Sequence, residues 1–173
     1  MEVENGVLQT RIAGEADIPE LVRIINRAYE VEQFFVDGDR TNPAQVRDRM
    51  TRTAAWFLAV DDPQVRGRLA ACVWVEVQAD RGYFGMLAVD PDHQGRGLAR
   101  FLIAAVEDHC RAAGCRFLDI SVVNLRSELP AFYRQFGFVP YGTAPFHDRA
   151  KLTRPAYLVL MTKPLVDPWN RDA

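Results

Sequence analysis

Gln94, Gly95, Gly97 and Ala99 stand where an apolar strand gives way to a helix, in the stretch Leu87–Arg100, LAVDPDHQGRGLAR. That arrangement binds anions. Gly95 and Gly97 carry no Cβ, so the backbone N–H groups of Gln94 to Ala99 can come close to a ligand, and the unpaired donors of a helix N-terminus point the same way. A phosphate placed there gains roughly 0.3 to 2 kcal/mol from the helix dipole alone. Other phosphate loops fit less well. A dinucleotide fold asks for G-x-G-x-x-G after its first strand, whereas here the third glycine position is Arg100 and the whole first half of the chain precedes the loop. Asp119 does lie at the ribose-binding spacing of about 20 residues. A nucleotidase loop needs Lys-Ser or Lys-Thr after the glycines, and none follows. The plainest alternative is a tight turn that serves only to start a helix.

The spacing of Gln94, Gly97 and Ala99 reads Q-x-x-G-x-A. In this it resembles the GNAT superfamily of acyl-CoA-dependent N-acetyltransferases, whose pyrophosphate loop is R/Q-x-x-G-x-G/A. The resemblance implies that Gln94, Gly95, Arg96, Gly97, Leu98, Ala99 and Arg100 hold the pyrophosphate of acetyl-CoA. It also implies that Leu87, Ala88 and Val89 pair their backbone with the pantetheine arm. A second block, VVNLRSELPAFYRQFGFV, matches the family's strand ending near Asn, followed by a helix with Tyr before Gly-Phe. Here those residues are Asn124, Tyr133, Gly137 and Phe138, although the interval from Asn124 to Tyr133 is longer than the family's usual one. By resemblance, Asn124 contributes to the cofactor site and Tyr133 lies near the cofactor sulfur.

The implied reaction is attack of a neutral amine on a thioester carbonyl in a ternary complex, with neither metal nor acyl-enzyme. A phenol beside the sulfur can hydrogen-bond the departing thiolate. With reference pKa values of about 10 and about 8.5, complete proton transfer would be uphill by roughly 2 kcal/mol. An alkyl amine of pKa about 10.4 is neutral about once in 2,500 molecules at pH 7, a cost of roughly 4.6 kcal/mol, so a base or a desolvating pocket is useful. Glu76 is the first candidate base: in CVWVEVQ it shares a strand face with Trp74 and Gln78, opposite Val73, Val75 and Val77. Asp90, before Pro91, suits a turn better. In the family the loop between the first two helices commonly lines the acceptor site, and it offers Phe34, Phe35, Asp37, Asp39 and Arg40 here. His147 is a further acceptor-facing candidate and an alternative base. Two other readings are a non-catalytic acyl-CoA sensor and an enzyme acting on protein or peptide amino groups.

These residues need a frame, and the chain supplies one. Its 173 residues, 49% of them hydrophobic, suit one domain with a sizeable core. The expected domain spans 8–164, between short tails 1–7 and 165–173. A net charge of −2 without a basic stripe gives no indication of nucleic acid as a partner. No apolar run suits a membrane span or a secretory leader, so the expected location is cytoplasmic. Cys72, Cys110 and Cys115 read as small buried thiols, and His93 and His109 show no ligand spacing.

An opening strand over 8–13 precedes a helix with Asp17 and Glu20 as its capping box, whose stripe is Ile18, Leu21, Val22, Ile25, Ala28 and Tyr29. Asn42, Pro43 and Gln45 start a second helix. Ala55–Val60 and Leu69–Gln78 form a hairpin about DDPQVRGR, and Tyr83–Val89 is apolar on both faces like a central strand. The helix after the loop presents Leu98, Phe101, Leu102, Ala105, Val106 and His109 and stops at Gly114. Strand Phe117–Val123, a helix near Leu129–Phe136, and strands Phe138–Thr143 and Ala156–Thr162 complete the chain. The order β-α-α-β-β-β-α-β-α-β-β predicts an α/β domain with a mixed central sheet flanked by helices, which is also the GNAT order. Exposed sheet edges permit either a monomer or a homodimer.

Overall fold

The computed structural model describes residues 8–166, so the tail 1–7 and all of the C-terminal tail beyond 166 lie outside the described residues. Strands β1 (Arg11–Ile12), β2 (Ala55–Asp61), β3 (Leu69–Gln78), β4 (Arg81–Val89), β5 (Phe117–Val123), β6 (Val139–Pro145) and β7 (Tyr157–Pro164) form one sheet in the order β1-β2-β3-β4-β5-β7-β6. The helices are α1 (Ile18–Tyr29), α2 (Pro43–Met50), α3 (Leu98–Ala112) and α4 (Glu128–Arg134). Every strand pair is antiparallel except β4 with β5, and that pair is joined by α3. Parallel neighbours need such a crossover.

Alternation along the strands sorts the core into two layers. Phe57, Cys72 and Trp74 pack with Leu21, Ile24, Ile25 and Val46 of α1 and α2. Val73, Val75, Phe84, Leu118 and Ile120 pack with Leu102, Ile103, Val106 and Cys110 of α3. Burial of these faces supplies about 25 cal/mol per Å² of apolar area. Gly82 sets the approach of α3 to β4: a Cβ there would lie 2.5 Å from Cys110 Sγ.

The local signals were met with two adjustments. Asn42 Oδ1 accepts the Gln45 N–H at 3.0 Å and Pro43 opens α2, as expected. Asp17 and Glu20 do not form the expected capping box. The Asp17 carboxylate instead accepts the Gly14 N–H and binds Arg11, while Glu20 binds Arg23 and accepts the Leu69 N–H. A 3-10 turn over Glu15–Asp17 therefore leads into α1. The stripes also rotate slightly, with Ile24 buried in α1, and Ile103 and Cys110 buried in α3. All three cysteines are free and buried. Among the described residues no helix is long and apolar enough to cross a membrane, and no cluster of three metal-ligating side chains occurs.

Candidate active site

β4 runs for nine residues but pairs with β5 only through Arg81, Gly82 and Tyr83. Beyond Tyr83 the two strands part. The gap between them is a cleft of about 740 Å³ with Phe84, Gly85, Met86, Leu87 and Val89 on one wall and Ile120, Ser121, Val122 and Val123 on the other. A bulge makes the divergence: the β3–β4 register shifts between Cys72 and Trp74, opposite Met86, whose φ is +51°. Tyr83 and Met86, three residues apart, consequently share the α1 side of the sheet. The Asp90 N–H bonds to the Ala70 carbonyl at 2.9 Å. By alternation Ala88 also turns its backbone to β3, leaving the amide and carbonyl groups of Leu87 and Val89 to face the gap. That is an unpaired strand edge inside a cleft.

On the α3 side the cleft ends at Gln94, Gly95, Gly97, Leu98, Ala99 and Arg100. Gly95 and Gly97 have φ values of +75° and +78°, and a Cβ at either would meet nothing within 4 Å. Their freedom is thus required by the backbone conformation and leaves open space in front of the loop. The Arg100 guanidinium lies 4.9 Å from the Phe136 ring centroid. Asp90 and the turn that follows are anchored by Arg23 at 2.7 Å and Arg27 at 3.0 Å. An extended ligand with an amide-bearing arm and a phosphate end fits this combination of open cradle and free strand edge. Tyr133 of α4 borders the cleft, packed on Phe84, Phe132 and Phe138. Burial, reinforced by Tyr29 and Tyr83, raises its phenol pKa, so it stays protonated.

Because the gap passes through the sheet, the same cleft continues on the α1–α2 side. There it is lined by Tyr29, Glu32, Arg40, Arg49, Trp74, Tyr83, Arg126, Phe146 and His147. Glu32 is 7% exposed and lies 3.5 Å from Arg126. Burial raises its carboxyl pKa against the opposing pull of Arg40 and Arg126. Arg40 Nη1 donates to His147 Nε2 at 2.8 Å, and the His147 ring stacks on Phe146. Burial and then Arg40 push the His147 pKa down to about 4. With Nε2 occupied as an acceptor, this imidazole steadies Arg40 and is poorly placed to act as a base.

Of the residues expected from sequence, the cleft gathers Leu87, Val89, Gln94, Gly95, Gly97, Leu98, Ala99, Arg100, Tyr133, Arg40 and His147. Others stand elsewhere. Ala88 turns its side chain into the α1–α2 core, and Arg96 is exposed outside the cleft wall. Asn124 Oδ1 accepts the Tyr157 N–H at 2.8 Å, fastening β7 to the end of β5. Phe35 is fully buried behind Phe146, Phe34 is exposed under Arg154, and the Asp37 N–H is tied to the Lys151 carbonyl. Glu76 keeps the strand face expected of it but lies beside Arg52 at 3.9 Å, outside the cleft. Glu32, Arg49, Trp74, Tyr83 and Arg126 were not anticipated. Trp74, on the face assigned to Glu76, was the one signal available in sequence for this wall.

A family model for the Acetyltransferase (GNAT) family matches residues 18–138. The chain is 27% identical to a mycothiol acetyltransferase of Nocardia farcinica over 142 residues, covering 80% of this chain and 47% of that one. It is 37% identical to a mycothiol acetyltransferase of Beutenbergia cavernae over 99 residues, covering 53% and 33%. The chain thus spans about half or less of the length of the curated relatives it matches. Its fold is similar to that of the ribosomal-protein-S18-alanine N-acetyltransferase of Escherichia coli, with a TM-score of 0.74 and 18% identity over 96% of this chain and 99% of that one. It is similar also to yncA of Salmonella typhimurium, solved with its cofactor acetyl-CoA, with a TM-score of 0.70 and 19% identity over 97% and 99%.

Proposed function

The chain belongs to the GNAT acetyltransferase family, and on that premise we propose that it moves an acetyl group from acetyl-CoA to a primary amine of a small molecule, by direct attack with both bound together. The observation that carries this reading is the parting of β4 from β5, which joins an anion cradle on one face of the sheet to a chamber on the other. Acetyl-CoA, when bound, supplies a thioester carbonyl that an amine can attack.

The chain's own groups divide the work. Backbone N–H groups of Gln94 to Ala99, aided by Arg100, meet the phosphates. The free edge at Leu87 and Val89 pairs with the amide arm. Tyr133, held protonated by burial, donates a hydrogen bond toward the sulfur as negative charge develops there. Glu32 replaces Glu76 as the candidate base, because it borders the chamber and burial raises its pKa, which makes it a stronger proton acceptor than an ordinary carboxylate. The surrounding arginines also disfavour an ammonium, helping to supply the neutral amine.

Calorimetric titration of acetyl-CoA tests the reading, alongside Gly97→Glu, which adds bulk and negative charge at a left-handed position facing the cradle. Tight binding to the natural chain that is lost in the variant supports it. Absence of heat from the folded natural chain overturns it.

A further inference from the structure

Arg40 and Arg49 both line the chamber, yet neither has a carboxylate within ion-pair distance among the described residues. Of the acids that border the adjoining pocket, Asp39 makes no ion pair with either arginine and the other two are committed elsewhere. Asp48 pairs with Arg52 at 3.4 Å, and Asp148 lies 3.8 Å from Lys151. Glu32 makes its ion pair with Arg126. The Nε atoms of Arg40 and Arg49 are buried without a hydrogen-bond partner. An unpaired buried donor is costly, and each guanidinium bears that cost here without a counter-charge beside it.

Each guanidinium is also held in place. Arg40 lies over the Tyr29 ring at 5.0 Å and is bonded to His147; Arg49 lies over the Trp74 ring at 5.0 Å. Stacking on a ring leaves the N–H edge of a guanidinium free for the forked, two-bond recognition of an oxyanion. The two are not part of the phosphate cradle. Trp74, under Arg49, is level with Gly85, and the four residue steps from Gly85 to Val89 put about 13 Å of strand between that level and the end of β4, beyond which the loop begins. Burial, then Arg52 and Arg40, lowers the Arg49 pKa, as expected of a cation lacking a counter-charge.

We infer that the acceptor carries an oxyanion, a carboxylate or a phosphonate, beside its amine, and that Arg40 and Arg49 seat this group while the amine lies toward Glu32. The inference rests on the acyltransferase reading of the cleft and names its substrate class: amino acids and amino phosphonates. Its charge balance is direct. With His147 neutral, Arg40, Arg49 and Arg126 line the cleft with one carboxylate, Glu32, among the described residues, and of the three arginines it is Arg126 that has carboxylate partners, Glu32 and Glu128. A bare ammonium would add to that positive excess, whereas an acid offsets it.

The test compares matched acceptors by thiol release from acetyl-CoA: L-methionine with L-methioninamide, L-phenylalanine with its amide, and 2-aminoethylphosphonate with ethanolamine. An α-amino amide is deprotonated more readily than the amino acid, so a preference for the acid has to come from the protein. We expect the acid member of at least one pair to be favoured about tenfold or more in kcat/KM. Arg49→Gln and Arg40→Gln should each reduce the acid-over-neutral preference in kcat/KM by about tenfold or more, whatever they do to the rate common to both members of a pair. Arg49→Lys should recover part of the loss. Neutral members used as well as acids, or variants that lower both alike, overturn the inference. If no pair is turned over, the same compounds are titrated onto the CoA-saturated natural chain by calorimetry. Binding of acids alone supports the anion seat; equal binding, or none, overturns it. Acetyl-CoA binding, measured separately, shows whether the underlying acyltransferase reading has failed instead.

Discussion

The Tyr83 hydroxyl and Ser121 Oγ lie 2.8 Å apart, Tyr83 in the last paired rung of β4 and β5 and Ser121 two residues beyond its partner Asp119, where the cleft begins. This bond closes the base of the opening, so both side chains should act as one unit. Tyr83→Phe and Ser121→Ala should each lower stability by about 1 kcal/mol, or about 2–4 °C in Tm, and the double variant by little more than either alone. Fully additive losses in thermal melts would show that the bond does not couple them.

Tyr133→Phe keeps the ring that packs on Phe84, Phe132 and Phe138 and removes only the hydroxyl. Steady-state kinetics should give a kcat lower by about 10²-fold, with acetyl-CoA affinity held within about twofold. An unchanged kcat would remove the phenol from the mechanism.

Burial raises the Glu32 carboxyl pKa, and Arg40 and Arg126 only partly oppose it. Activity that needs the carboxylate should therefore fall, as pH drops, through a value above the ordinary Glu pKa of about 4.3. Glu32→Gln should lower the plateau and erase that limb. The stability effect has the opposite sign. A folded pKa above the unfolded one makes ionisation costlier in the folded state, so the charge destabilises at neutral pH and not at low pH. Glu32→Gln should raise Tm at pH 7 and lose that advantage on acidification.

Asp90 is 2% exposed, and burial pulls its pKa up; hydrogen bonds from Arg23 and the Asp92 N–H, with the Arg27 charge, outweigh that and hold it below the usual range. Its stabilisation is therefore present above the unfolded carboxyl pKa and disappears as pH falls through the lower folded value, below about pH 4. Asp90→Asn should cost on the order of 2 kcal/mol at pH 7, discounted because both arginines are partly exposed. Denaturant melts at pH 7 and pH 3 should show that gap closing.

Gly82→Ala would place a methyl group 2.5 Å from Cys110 Sγ and 3.2 Å from Leu118 Cδ1. Overpacking at this contact of α3 and β4 should cost about 1–3 kcal/mol. Adding Cys110→Ala should recover part of it, whereas an undiminished loss would point away from the sulfur contact.

The element order was legible because each element carries its own local code. Alternation marks β3, Asn42 and Pro43 start α2, and the glycines mark the loop before α3. The glycine-bearing turn into α3 was equally legible, being built from consecutive residues whose spacing is fixed by the chain itself. The place of Tyr133 on a helix before Gly137 and Phe138 was legible in the same way, and the structure sets it at the border of the cleft.

The chamber was decided only by the tertiary structure. Glu32 follows α1, Arg49 ends α2, Trp74 is in β3, Arg126 follows β5 and His147 follows β6, so no local spacing relates them. They meet because the bulge at Met86 turns β4 away from β5 and opens a passage through the sheet. The same physics displaced Glu76. A sequence tells which side of a strand a residue faces, but which strand faces line a cavity depends on where pairing stops, and pairing is a property of two strands together.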